Sequence, residues 1–238
     1  MHASSATHAR VRGVPTLPHP AFATLAFVAA CLAAGNAAAT DRYELVGTAV
    51  KAQHVLQLTD WNVFEAGAIW GHHPLHLDRS FVVQFSFSLL APHQVPPQAD
   101  GIALVIQTDG RQALGADGGG IGYLGLHGIA SVVQTWTNNH VGFSLDGDPY
   151  SAPPAPADLG NAILITGEET VAYDATNHVL TMGGHLYVDG VDYPIADSRD
   201  IDLVAWLGSP EAIIGFTGGT GAAFSNQRIQ SWRLTYIP

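Results

Sequence analysis

The chain has 238 residues, 47% of them apolar and only 12% charged, the opposite balance to that of a disordered chain. Nine Lys and Arg stand against 20 Asp and Glu; a net charge of −11 repels a phosphate backbone and argues against nucleic acid as a partner. One cysteine cannot make an intrachain disulfide framework, so a single domain of this size must be held by its apolar core.

The first forty residues read as an export signal. Arg10 and Arg12 are the only charged residues before Asp41, an apolar run follows over 21–34, and Ala37-Ala38-Ala39 offers a small-residue cleavage site. That run is shorter than the ~20 residues a membrane span takes. The expected division is a signal peptide over 1–39 and one domain over 40–238. Val28-Ala29-Ala30-Cys31 resembles a bacterial lipoprotein box, so acylation at Cys31 stays open beside soluble export. Either route places the mature chain in a secreted, extracellular or periplasmic location. No later stretch is long and apolar enough to span a bilayer.

The rest reads as strands. Phe81, Val83, Phe85, Phe87 and Leu89 alternate with smaller or polar residues, the period of a half-buried strand. Further short strands are expected over 54–59, 101–108, 131–136, 140–146, 162–166, 170–173, 179–182, 185–188, 212–217 and 229–236. Turn signals separate them at Thr108-Asp109-Gly110, Asp146-Gly147-Asp148-Pro149, Asp189-Gly190 and Gly218-Gly219. Only 201–207 suits a helical turn, and the Pro-rich stretches 91–97 and 151–157 read as surface loops. Many short strands with glycine-rich turns predict an all-β, two-sheet sandwich.

The spacings of reactive residues do not favour catalysis. A glycosidase usually needs two carboxylates flanking one bond. Glu168 and Glu169 are adjacent and would point to opposite faces of a strand, while Asp146/Asp148 and Asp200/Asp202 sit at turns or strand ends. A Gly-x-Ser-x-Gly elbow is absent. His72-His73-Pro74-Leu75-His76 is the only histidine cluster and reads as a solvated loop; no HExxH, CxxC or EF-hand spacing occurs.

Four segments, in order, carry a family resemblance. Ala99-Asp100-Gly101 heads the run Ile102-Ala103-Leu104-Val105-Ile106, and Gly118-Gly119-Gly120-Ile121-Gly122-Tyr123 follows. Then come Thr135-Trp136-Thr137-Asn138 with His140-Val141-Gly142-Phe143, and Gly215-Phe216-Thr217-Gly218-Gly219-Thr220-Gly221-Ala222 with Ser231-Trp232. Together they resemble the legume-type (L-type) lectins, as a bacterial-like secreted member with a degenerate metal site. The resemblance implies a concanavalin A-like (jelly-roll) sandwich of antiparallel sheets. It also implies a carbohydrate-binding site made of Asp100, a backbone N–H at Gly119 or Gly120, Trp136 and Asn138. Ala222 and Ala223 fall in the loop that sets monosaccharide preference.

That set suits a sugar chemically. A carboxylate accepts two hydroxyl protons in charge-assisted bonds, and a bare glycine N–H donates to the same oxygens. An amide donates and accepts, and an indole covers the apolar face of the ring. The family's calcium and transition-metal ligands are carried over badly. The resemblance puts Val132 at its Glu position and Gln134 at an Asp position, and the loop with a second Asp is missing. Asn138 and His140 alone remain, too few for Ca²⁺. The expected cofactor is therefore none, with a substitute calcium site at Asp146 and Asp148 left open. The function expected is non-catalytic recognition of a glycan or glycoconjugate. A structural or adhesive sandwich that has lost sugar binding is the alternative, a glycoside hydrolase the weakest reading, and homo-oligomerisation stays open.

Overall fold

The computed structural model describes residues 43–52, 55–136 and 138–237. The expected export signal over 1–39 and Cys31 lie outside them. The described strands are β1 (Tyr43–Gly47), β2 (Val50–Ala52), β3 (Val55–Thr59), β4 (Ala66–Gly71), β5 (Leu75–His76), β6 (Phe81–Leu90) and β7 (Gly101–Gln107). They continue with β8 (Gly128–Gln134), β9 (His140–Leu145), β10 (Leu164–Asp174), β11 (Val179–Val188), β12 (Val191–Asp200), β13 (Glu211–Gly219) and β14 (Asn226–Tyr236). One short helix, α1 (Leu203–Leu207), is capped by the Asp202 carboxylate, which accepts from Ala205 N–H at 3.0 Å.

These strands form the expected antiparallel sandwich. One sheet runs β1-β4-β13-β7-β8-β9 with β5 added beside β13; the other runs β12-β11-β10-β6-β14-β3-β2. The alternation of β6 holds: Phe81, Val83, Phe85, Phe87 and Leu89 are buried between the sheets, while Gln84, Ser86 and Ser88 are half-buried on the opposite side. Every residue of β7 and β8 is buried. The second face of these strands is covered by Ile121, Tyr123 and Leu126, which pack with Trp70, Val105, Ala130 and Val132 in a smaller apolar cluster. Two-sided burial explains why 102–106 is an unbroken apolar run.

Several boundaries differ from those expected. The strands predicted over 162–166 and 170–173 are the single β10, and those over 179–182 and 185–188 are the single β11. Gly167 does not break β10, because the Phe87 ring fills the place of its missing side chain, 2.4 Å from an ideal Cβ. Gly218-Gly219 lies within β13 rather than in a turn. Strands β1, β2, β4, β5 and β12 were not expected. β12 is a largely exposed edge strand without a clear apolar stripe, and it contains Pro194, which only an edge tolerates well. Among the described residues no helix is long and apolar enough to cross a membrane.

Candidate functional site

Three neighbouring strands of the first sheet end in register. Gly219 of β13 lies opposite Gly101 of β7, which lies opposite Gln134 of β8. Asp100 sits just past this line. Gly101 has φ +135°, and a Cβ there would lie 2.2 Å from Val133 O, so glycine is required for the sheet to close up behind Asp100.

The main chain around Asp100 is fully engaged. The Ala99–Asp100 peptide is cis. Asp100 N–H donates to Gly219 O (2.9 Å), and Asp100 O accepts from Thr135 N–H (2.8 Å). Below it, Ala99 O accepts from Ser225 Oγ (3.0 Å) and Gln227 Nε2 (3.4 Å). Gln227 Nε2 also donates to Gly219 O (2.8 Å), and Thr59 Oγ1 to Ser225 O (3.0 Å). All three side chains are buried, so a polar cradle inside the sandwich fixes the peptide that carries the acid.

The carboxylate itself is not engaged in this way. Asp100 is only 3% exposed, yet its Oδ2 has no hydrogen-bond partner among the described residues. Burial pushes its pKa up to about 6, opposed by the nearby Gly221 backbone N–H and reinforced by the charge of Asp117. Two glycines face it. An ideal Cβ on Gly221 would lie 3.0 Å from Oδ2, and one on Gly118 would lie 4.0 Å away.

The glycine loop forms a 3₁₀ turn at Gly118–Gly120. Gly118 N–H donates to Thr220 O (3.0 Å) and Gly120 N–H to Asp117 O (3.0 Å), which leaves Gly119 N–H without an acceptor among the described residues. Gly120 is buried and its N–H is committed, so Gly119 is the better placed of the two expected donors. The loop after β13 is pinned by Thr220, whose Oγ1 donates to Asn62 O (2.8 Å) and accepts from Glu65 N–H (3.0 Å). Ala222 is exposed, and the N–H groups of Ala222 and Ala223 have no acceptor among the described residues.

Beyond β8 the chain returns to solvent. Trp136 is 42% exposed, and Asn138 is exposed with φ +67°. Asn138 lies three residues past Thr135, which is bonded to Asp100 O, and three residues span at most ~11 Å. The acid, the indole and the amide therefore share one end of the first sheet. Asn139 serves the fold instead, since its Oδ1 accepts from Leu159 N–H (2.8 Å) and Gly160 N–H (3.0 Å).

The donor set for the family's metal pair does not fit. Val132 is fully buried in the smaller apolar cluster. Gln134 is fully buried and donates through Nε2 to Gly119 O (2.9 Å). His140 Nδ1 lies 2.7 Å from Ala152 O, and its ring stands edge-on to that of Tyr150. Ca²⁺ takes six to eight oxygens, several of them carboxylates as a rule; these positions supply no carboxylate, and Gln134 adds only the amide oxygen Oε1, which is buried without a hydrogen-bond partner among the described residues. Among the described residues no three His, Cys, Asp or Glu side chains converge.

The remaining groups fall away from this place. Asp146 pairs with His127 (3.3 Å), and Asp148 caps a turn by accepting from Tyr150 N–H (3.0 Å). His72 and His73 are exposed. Glu168 points outward, while Glu169 points into the core, where Ser131 Oγ donates to its Oε1. Four residues near the site had no reading of their own in the sequence: Gly118, Gly221, Tyr150 and Phe64. Phe64 is 66% exposed and donates its N–H to Gly221 O (3.1 Å). The bare glycine patterns were the only signal for the first two, and nothing in the chain marked the others.

This is a jelly-roll sandwich with a buried acid at the end of one sheet, and its fold matches that of legume lectins. The basic agglutinin of Psophocarpus tetragonolobus is 28% identical over 163 residues, 63% of this chain and 63% of that protein. The chain thus matches less than two thirds of that relative's length. The Bauhinia forficata lectin, solved with GalNAc, has a TM-score of 0.68 at 23% identity, covering 83% of this chain and 93% of that one. Arcelin-5, a lectin-like defense protein from Phaseolus vulgaris, gives 0.68 at 19% identity, covering 84% and 94%. No protein-family profile matches the chain. The sequence match points toward the legume lectins, and the solved structures share their fold.

Proposed function

We propose that this chain recognises glycans without breaking a bond, through a combining site centred on Asp100. The observation that carries the reading is the buried Asp100 Oδ2, which makes no hydrogen bond among the described residues and is faced by two glycines. A buried acceptor left unpaired is costly unless a ligand supplies the donor. Vicinal sugar hydroxyls supply such donors, and the free N–H groups of Gly119, Ala222 and Ala223 supply the complementary bonds to sugar oxygens. Trp136 offers an exposed ring for the apolar face, and Asn138 an exposed amide.

The likeness to lectins supports a non-catalytic role, and the Bauhinia complex makes N-acetylgalactosamine the first probe. The basic and apolar segment over 1–39 supports export. A structural or adhesive sandwich is the second reading, favoured by the lack of metal carboxylates at Val132 and Gln134. A glycan array separates the two. The wild-type chain is expected to bind a defined glycan class, and Asp100→Ala and Asn138→Ala to lose the signal while staying folded. A folded wild-type chain that leaves the array blank favours the second reading.

A further inference from the structure

We infer that the combining site is organised by protein contacts in place of a metal ion, with Tyr150 as its positioning residue. The inference rests on the glycan-binding reading for its purpose, but its geometry stands alone. The family's metals would fix the Asp100 and Asn138 segments from the side of β8. Here that side is occupied by Gln134, His140 and Tyr150.

Gln134 ties the end of β8 to the glycine loop through its bond to Gly119 O (2.9 Å). The Tyr150 hydroxyl packs into the notch left by the missing side chain of Gly119. An ideal Cβ there would lie 2.1 Å from Tyr150 Oη and 3.8 Å from Gln134 Nε2. The phenol and the amide thus brace the one residue of this turn whose N–H is free. Desolvation and the Asp100 charge both push the phenol pKa up, so Tyr150 stays a neutral hydroxyl near neutral pH. Its ring is held in turn. Tyr150 N–H is capped by Asp148 Oδ1 (3.0 Å), the ring meets His140 edge-on at 6.2 Å, and His140 is anchored on Ala152 O (2.7 Å). The chain of contacts runs from β8 through Gln134 to the glycine loop, and back through Tyr150 and His140 to β9. A metal bridge would span the same gap using acids that this sequence lacks.

The test uses the purified chain stripped with a chelator, and Ca²⁺ and Mn²⁺ as probes. Calorimetric titration is expected to show no saturable binding, and the melting midpoint to be the same in EDTA and in both metals. Saturable binding near micromolar concentration overturns the inference. In Tyr150→Ala, exchange of the Gly120 and Ile121 amide protons, which are bonded to Asp117 O and Gly118 O within the glycine turn, should speed up at least tenfold, with the amides of β6 unchanged and no recovery on adding either metal. Exchange at the wild-type rate overturns it. Tyr150→Phe, which keeps the ring, should fall between the two. On a glycan array, wild-type signals should be equal with and without EDTA; loss in EDTA overturns the inference but leaves glycan binding intact. A blank array refutes glycan binding, and the titration and exchange results then decide the brace by themselves.

Discussion

Asp100 and Gly221 face each other so closely that a methyl group on Gly221 would lie 3.0 Å from Asp100 Oδ2. One is buried and unpaired; the other has no side chain to fill the space in front of it. Gly221→Ala should therefore block the acceptor without unfolding the chain, since no positive φ is involved. Glycan retention should fall at least about tenfold, the effect of ~1.4 kcal/mol. Gly183→Ala, whose Cβ would meet nothing closer than 3.8 Å, is the control expected to bind normally. Surface plasmon resonance on the array's best glycan checks both.

Asp100→Asn separates charge from shape. A hydrogen bond to a charged group is worth about 1.5–3 kcal/mol, so binding should weaken by roughly 10- to 150-fold. Stability should move the other way at pH 7.5, because a desolvated charge is removed. A rise in melting midpoint of about 2–4 °C corresponds to 1 kcal/mol in a domain of this size. Near pH 3, where the acid is mostly protonated folded and unfolded alike, calorimetry should find little difference.

The pH dependence has a definite sign. Burial raises Asp100 from 3.8 to about 6, and raises Glu169 from 4.5 to about 7 against the Ser131 hydroxyl that stabilises its charge. Both groups bind protons more tightly folded than unfolded, so their contribution is fully present below about 4 and is lost as pH rises through 6 and 7. Stability attributable to them falls across that window, and Glu169→Gln should flatten the fall in a series of melting curves. Glycan affinity should run opposite to stability, rising with pH through about 6 as Asp100 ionises.

Two of the five tryptophans make a further contrast. Trp136 is 42% exposed and Trp70 is fully buried, with its Nε1–H donating to Ala113 O at 2.9 Å. Trp136→Ala should reduce glycan retention while changing stability by no more than about 0.5 kcal/mol. Trp70→Ala should cost about 3–5 kcal/mol of stability. Chemical denaturation beside the binding assay distinguishes the two.

The parts of the molecule that were legible in sequence are those where local pattern and tertiary role agree. β6 shows period two because one face is core, and 102–106 is uniformly apolar because β7 is covered on both faces. β10 and β11 looked broken because Gly167, Gly183 and Gly184 interrupt them. An ideal Cβ on Gly184 would lie 2.0 Å from Glu168 O, so close backbone packing, not a turn, explains that residue. β12 was missed because an exposed edge strand needs no apolar stripe. At the candidate site, the place of Asp100 at the head of β7 was legible from its motif. The Tyr150–Gly119 contact joins residues 31 apart in the chain, and local pattern carries no trace of it.

If Asp100 Oδ2 is the acceptor for a sugar hydroxyl, a crystal structure of the domain soaked with the monosaccharide that competes best on the array tests it most directly. The expected result is a hydroxyl within hydrogen-bond distance of Oδ2, with Gly119 N–H on a neighbouring sugar oxygen. A sugar bound elsewhere, with Oδ2 still unpaired, would contradict it.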